Sequence, residues 1–191
     1  MSDYKNIEIF KKNRSTLKKT SYDDANKEYM SDSLFEVIDF DKVKEDYCFP
    51  LGLEEQLPKS CDALCFLENK IIFIEFKNGK VETFNVRKKI YDTILIFSDI
   101  VGCSIKDTRN NVEYILVYDK IKNETSREYG DYPKRKIQRS KSFNLISDSI
   151  SKLAKKEIVK FKIWDFQKYL LKDVHTYTKE EFEENFIKKC T

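Results

Sequence analysis

Residues 60–77 read SCDALCFLENKIIFIEFK. Two short apolar runs, CDALCFL (61–67) and KIIFIEFK (70–77), flank Glu68 and Asn69, which is the pattern of a tight antiparallel hairpin. Asn78-Gly79-Lys80 ends the second run. Outside the turn nearly every side chain is apolar on both faces, as in a strand covered from both sides. Asp62, Glu75 and Lys77 are the exceptions. Glu75 and Lys77, two residues apart, project to one face about 6.6 Å apart along the strand, while Phe76 turns into the opposite layer.

The turn decides whether Asp62 joins them. A two-residue loop at Glu68-Asn69 pairs Leu67 with Lys70 and, in the same register, Asp62 with Glu75. Moving the loop to Asn69-Lys70 sets Asp62 against Lys77, again with Glu75 on that face. A three-residue loop would send Asp62 to the other side. The favoured turn therefore gathers two carboxylates and one ammonium, and puts Cys61 and Cys65 on the opposite side. Opposed anions about 5 Å apart repel, and burying them is costly without a compensating cation. One lysine compensates in part. A hard divalent cation such as Mg²⁺ takes one or two carboxylates, waters and substrate phosphate as its oxygen ligands. Bound there it would polarise a phosphodiester and acidify a water, and the lysine would stabilise developing negative charge. The bland alternative is a Glu–Lys pair at a wet strand end. Acid-x-Lys also occurs at Asp3 and Glu68, and only Glu75-Phe76-Lys77 lies in a buried run.

Outward from the hairpin, residues 85–101 carry apolar side chains at 86, 90, 94, 97 and 101, the spacing of a helix with one buried face. VEYILVY (112–118) reads as a buried strand and EIVKFKI (157–163) as an alternating one. Ser142 could cap a helix bearing Phe143, Ile146, Ile150 and Leu153. Thr178 with Glu181 fits a capping box opening an acidic helix with Phe182 and Phe186. Strand and helix compete over residues 33–49, and residues 1–30 read as a helix with a loop. The order of elements predicts an α/β fold with a mixed sheet flanked by helices, in one domain spanning 1–191. Its core covers about 33–163, and 1–30 and 164–191 are peripheral helical segments.

Composition narrows the chemistry. The chain has 191 residues, 36 basic and 33 acidic, with net charge +3, and its 40% hydrophobic content includes 14 Phe and 11 Tyr, enough for a core. No run of about 18 apolar residues suggests a membrane span, and no secretory signal is read at the start; a cytoplasmic protein is expected. Five Cys without framework spacing fit reduced thiols. Cys61 and Cys65, placed on a strand about 13 Å apart, are too distant to share a zinc ion. Four glycines form neither GxGxxG nor GxxxxGK, and the single His175 excludes paired-histidine metal sites. His175, in KDVHTYT between two segments, reads as exposed or structurally bonded.

Pro58-Lys59-Ser60-Cys61-Asp62, then Glu75-Phe76-Lys77, on a hairpin followed by an amphipathic helix, resembles the PD-(D/E)xK nuclease superfamily, the restriction-endonuclease-like fold. The resemblance covers about 57–118. It implies an α-β-β-β-α-β core with C-terminal additions and a site dependent on Mg²⁺ or Mn²⁺. Asp62, Glu75 and Lys77 would be catalytic, with Asp62, Glu75 and the backbone carbonyl of Phe76 on the metal. Cys61 stands where the family usually has proline. A further acid from the first helix is frequent in the superfamily, and Glu36, Glu45, Glu54 and Glu55 compete for that place.

Five basic residues in KRKIQRSK (134–141), namely Lys134, Arg135, Lys136, Arg139 and Lys141, read as a phosphate-contacting loop, with Tyr129 and Tyr132 nearby. Arg87, Lys88 and Lys89, at the start of the helix after the site, are candidates for the scissile strand's phosphates. The expectation is a metal-dependent nuclease acting on DNA, in phage defence or a mobile element as the resemblance implies, with a homodimer or two binding events needed to cut both strands and a partner protein as a further candidate. The alternatives are a toxin-like RNase on the same fold and a non-catalytic nucleic-acid- or protein-binding module.

Overall fold

The computed structural model describes residues 4–53, 58–67, 70–123 and 159–190. Its centre is a six-stranded mixed sheet in the order β1-β4-β5-β6-β7-β8. The strands are β1 (Arg14–Thr16), β4 (Glu36–Asp39), β5 (Ala63–Leu67), β6 (Lys70–Lys77), β7 (Val112–Tyr118) and β8 (Asp173–Thr178), and β2 (Tyr22–Asp23) and β3 (Glu28–Tyr29) form a separate ribbon. Pairing is antiparallel from β1 to β6 and parallel from β6 to β8. Helices flank the sheet: α1 (Glu8–Lys12), α2 (Leu17–Thr20), α3 (Phe40–Cys48), α4 (Thr83–Val101), α5 (Ile105–Asn111), α6 (Lys120–Asn123), α7 (Lys179–Phe182) and α8 (Lys188–Cys190).

The hairpin register is the one the two-residue turn dictates, with Leu67 opposite Lys70 and Ala63 opposite Ile74. Period-two alternation then sorts the side chains into two layers. Leu64, Ile71 and Phe73 meet Val86, Ile90, Ile94 and Phe97 of α4 on one face. Cys65, Ile72, Ile74 and Phe76 meet Phe182 and Phe186 on the other. Burying both faces of β6 and all of β7 makes the centre of the sheet water-poor, so any charge there needs a partner. The helix expected at 85–101 runs Thr83–Val101 and stops at Gly102, whose left-handed φ of 65° suits a residue without Cβ.

Other expectations require correction. Residues 33–49 hold both contested elements in succession, β4 and then α3, with the Asp39 side chain capping the helix at the Lys42 amide. Residues 1–30, expected to be peripheral, contribute edge strand β1 to the sheet. Of the strand expected at 157–163, residues 159–163 lie in the described part and form none; Phe161 and Lys162 take positive φ of 59° and 50°. The sheet is completed instead by β8, which contains His175 and extends the core past 163. The Thr178–Glu181 capping box is present, but its helix passes after one turn into a π-helical turn over Glu183–Ile187. Cys61 precedes β5 rather than lying on a strand, and its side chain packs in the α4 layer, away from Cys65. All five cysteines are free. The basic tract at 134–141, Tyr129, Tyr132, the Ser142 helix, Glu54, Glu55 and the turn residues Glu68 and Asn69 lie outside the described residues. Among the described residues no helix is long and apolar enough to cross a membrane.

Candidate active site

Where β5 begins, the chain leaves the ladder one residue early. Asp62 donates its amide to the Ile74 carbonyl at 3.2 Å, and its own carbonyl accepts from the Phe40 amide of α3 at 3.1 Å. The Asp62 carboxylate occupies the next ladder position: Oδ2 accepts from the Phe76 amide at 2.6 Å. In an extended strand the amide and carbonyl of one residue point to the same side. The Phe76 carbonyl is thereby directed toward Asp62, where β5 no longer supplies a partner strand.

Glu75 lies on the α4 side of β6 and is fully buried. Lys77 Nζ reaches its Oε1 at 2.8 Å. A second ammonium comes from the helix. Lys89 Nζ lies 2.8 Å from Glu75 Oε1, 2.9 Å from Oε2 and 3.4 Å from Asp62 Oδ1. Thus the two carboxylates come within reach of a single cation, with Lys77 beside them. The cluster opens to solvent on the Asp62 and Lys77 sides, which are 16% and 29% exposed.

A third carboxylate stands nearby. Asp41, in the first turn of α3, accepts a 2.5 Å hydrogen bond from the Ser60 hydroxyl, and its charge contributes to the upward shift of Asp62. Among the acids weighed for this place, Glu36 is exposed and paired with Arg14 at 3.4 Å, and Glu45 is exposed. Asp41 was missed because residues 33–49 could not be assigned to one element. Beneath the cluster, the buried Tyr114 hydroxyl has no hydrogen-bond partner among the described residues. Register places Tyr114 opposite Phe73, on the Glu75 face.

Burial, then the Glu75 charge, drives the Asp62 carboxyl from 3.8 up to about 7, against the pull of Lys89. For Lys89, burial favours the neutral amine, but Asp62 and then Glu75 outweigh it and hold the ammonium well above its usual range. The Tyr114 hydroxyl and the Cys61 thiol are both pushed far up, first by burial and next by Glu75. Asp41, Asp62 and Glu75 against Lys77 and Lys89 leave one unbalanced negative charge, and Asp62 is the group that carries the strain.

Of the helix cations expected at phosphates, Lys89 is committed to the acidic pair. Arg87 Nη1 binds Asp165 at 2.9 Å and the Lys162 carbonyl at 2.8 Å, with its guanidinium 4.7 Å above the Phe166 ring. Lys88 lies 4.0 Å from Asp92. A signal for Lys89 existed in the helix spacing: positions 86, 89 and 93 form an i, i+3, i+7 row beside the apolar stripe, and Val86 and Thr93 are both fully buried.

The donor set suits a hard cation: two opposed carboxylates, a backbone carbonyl on the Asp62 side and a residual negative charge. Among the described residues no group of three acidic, histidine or cysteine side chains forms a ready-made metal site. Any cation would therefore be held by two carboxylates, the carbonyl, water and ligand. Compared with known protein families, curated proteins and solved structures, this chain matches none.

Proposed function

We propose that the chain is a metal-dependent phosphodiester hydrolase, a nuclease acting on DNA. The observation that carries this reading is the convergence of Asp62 and Glu75 on one cation's reach, inside buried β-structure, with Lys77 at 2.8 Å from Glu75. Its support also includes the order of elements. Three consecutive antiparallel strands (β4, β5, β6), then α4, then parallel β7 follow the succession that the PD-(D/E)xK resemblance implies, with α3 inserted after the first strand.

In this reading Asp62, Glu75 and the Phe76 carbonyl would hold Mg²⁺ or Mn²⁺. When bound, that ion polarises the phosphodiester and lowers the pKa of a water. The protein's own groups do the rest. Lys77, on the open side of the cluster, meets the charge that develops on the phosphoryl oxygens. Lys89 fixes Glu75 by contacting both of its oxygens, which keeps the carboxylate aimed at the same point before and after ligand arrives. Asp62 Oδ2 is anchored by the Phe76 amide, so Oδ1, 3.4 Å from Lys89 Nζ, is the oxygen that would turn toward a ligand.

A second reading rests on the same Lys89. Two ammoniums beside Asp62 and Glu75 neutralise that pair by themselves, as a structural ion network in a non-catalytic binding module would. One experiment separates the two. Plasmid, linear duplex, single-stranded DNA and RNA are incubated with Mg²⁺, Mn²⁺ or chelator, beside Lys77→Ala and Asp62→Ala variants. Cleavage that requires metal and disappears in both variants supports the hydrolase, and RNA cut in preference to DNA changes its substrate. Binding without cleavage of any substrate supports the module.

A further inference from the structure

The sheet buries a second carboxylate at its other end and on its other face. Glu113 is the one charged residue in the otherwise apolar β7, and by parity it lies opposite to the Glu75 layer. It faces a cavity of about 700 Å³, within the range of small-molecule sites. Ile72 and Ile115 of the sheet form the floor, and Phe186 of the π-helical turn forms a wall. The His175 and Tyr177 rings of β8, stacked with centroids 5.6 Å apart, give a second flat wall.

The rim is cationic. Lys70 Nζ lies 3.1 Å and Lys172 Nζ 3.7 Å from Glu113, whose Oε2 is also 4.0 Å from His175 Nε2. Lys189 lines the cavity as well. Three ammoniums against Glu113 and Asp173, its same-face neighbour across β8, leave an excess of one positive charge before His175 is counted. A phosphate monoester carries between about 1.5 and 2 negative charges at pH 7, so it is attracted to this cationic rim. The apolar floor and stacked rings match a flat ring attached to it. Glu113, held in place by the lysines, is an acceptor for ligand hydroxyl or amino groups.

We propose that this cavity binds a phosphate monoester carrying a flat ring, of the nucleoside monophosphate class, with Lys70 and Lys172 on the phosphate and the ring between Phe186 and Tyr177. The site is built from different residues than the Asp62–Glu75 cluster and does not depend on the hydrolase reading.

The test is calorimetric titration of the full chain with AMP, GMP, CMP and UMP, and with adenosine and inorganic phosphate as half-ligands, all without divalent metal. The expected result is one site per chain with a Kd on the order of 10 µM for at least one nucleotide. Each half-ligand should bind at least about tenfold more weakly. Lys70 and Lys172 are half-exposed, but each reversal sets a second anion beside Glu113, so Lys70→Glu and Lys172→Glu are compared with the wild type by circular dichroism, and the neutral Lys70→Gln and Lys172→Gln replace either one that does not fold. Each should weaken the nucleotide at least about tenfold, the loss of a charge-assisted contact. Asp62→Asn should leave the affinity unchanged. No heat from any nucleotide at about 1 mM, or an affinity unmoved by both lysine reversals, overturns the proposal. An affinity lost in Asp62→Asn overturns it too, by assigning the nucleotide to the acidic cluster.

Discussion

Replacing Lys89 by methionine isolates the charge on which the acidic cluster depends. Methionine keeps an unbranched apolar stem for α4 to pack, so the substitution removes the ammonium and little else. It leaves Asp62 and Glu75 with Lys77 as their close cation, at 2.8 Å from Glu75. Removing one partner of a buried ion pair costs about 3–5 kcal/mol. Asp62 and Lys89 keep 16% and 18% exposure, which sets the expectation at the lower end, about 3 kcal/mol. For a chain of this length that corresponds to a drop in Tm of about 6–12 °C. The loss must also depend on pH. The folded carboxyl of Asp62 titrates at about 7 against 3.8 in its ordinary state, so between those values the folded protein binds more protons than the unfolded one. Stability contributed by this group therefore falls as pH rises from about 4 to about 7 and is level above that. Without Lys89 the folded value climbs further, and the variant's full deficit of about 3 kcal/mol appears near pH 9. Near pH 5 Asp62 is protonated in both proteins and Lys77 still balances Glu75, leaving a deficit of about 1 kcal/mol. Urea unfolding followed by circular dichroism at pH 5, 7 and 9 measures this. A deficit below about 1 kcal/mol at pH 9, or an equal deficit at pH 5 and 9, would refute the assignment of Lys89 as counter-charge.

Three further substitutions test the surroundings. Asp62→Asn retains an oxygen for the Phe76 amide and removes the repelling charge, so above pH 7 it should stabilise the fold by about 1–3 kcal/mol. The same change should lower metal-dependent cleavage by at least about a hundredfold; a destabilised or fully active variant contradicts the site. Tyr114→Phe removes a buried hydroxyl without a partner among the described residues. Unfolding should show a gain of about 1 kcal/mol, and a loss of that size would mean that the hydroxyl is bonded. Arg87→Ala breaks the Asp165 pair and the contact over Phe166, at a cost of about 1 kcal/mol. Because Arg87 is occupied there, the salt slope of any DNA binding should stay unchanged; a slope reduced by about one charge would return Arg87 to the phosphates.

The parts of the fold that local rules dictate could be read from the sequence. A two-residue turn and period-two alternation set the register that brings Asp62 to Glu75, and apolar spacing located α4 almost to the residue. Strand β8 escaped because its buried positions are Val174, Thr176 and Thr178, and threonine gives no apolar signal. The alternation of 159–163 misled for the converse reason: two positive φ values there prevent an extended strand. Lys89 shares a buried row with Val86 and Thr93, which marks it as inward-facing, but only the tertiary placement of β6 under α4 shows that its partner is the acidic pair rather than a phosphate. Asp41 depended on knowing where α3 begins, which Asp39 decides by capping.

The most direct measurement is calorimetric titration of Mg²⁺ and Mn²⁺ into wild-type protein, Asp62→Asn and Glu75→Gln at pH 8. Saturable binding to the wild type and at least about a tenfold loss in each variant are expected. Wild-type protein that takes up no divalent ion, or variants that bind it as well as the wild type, would mean that Lys77 and Lys89 are all the compensation these carboxylates have.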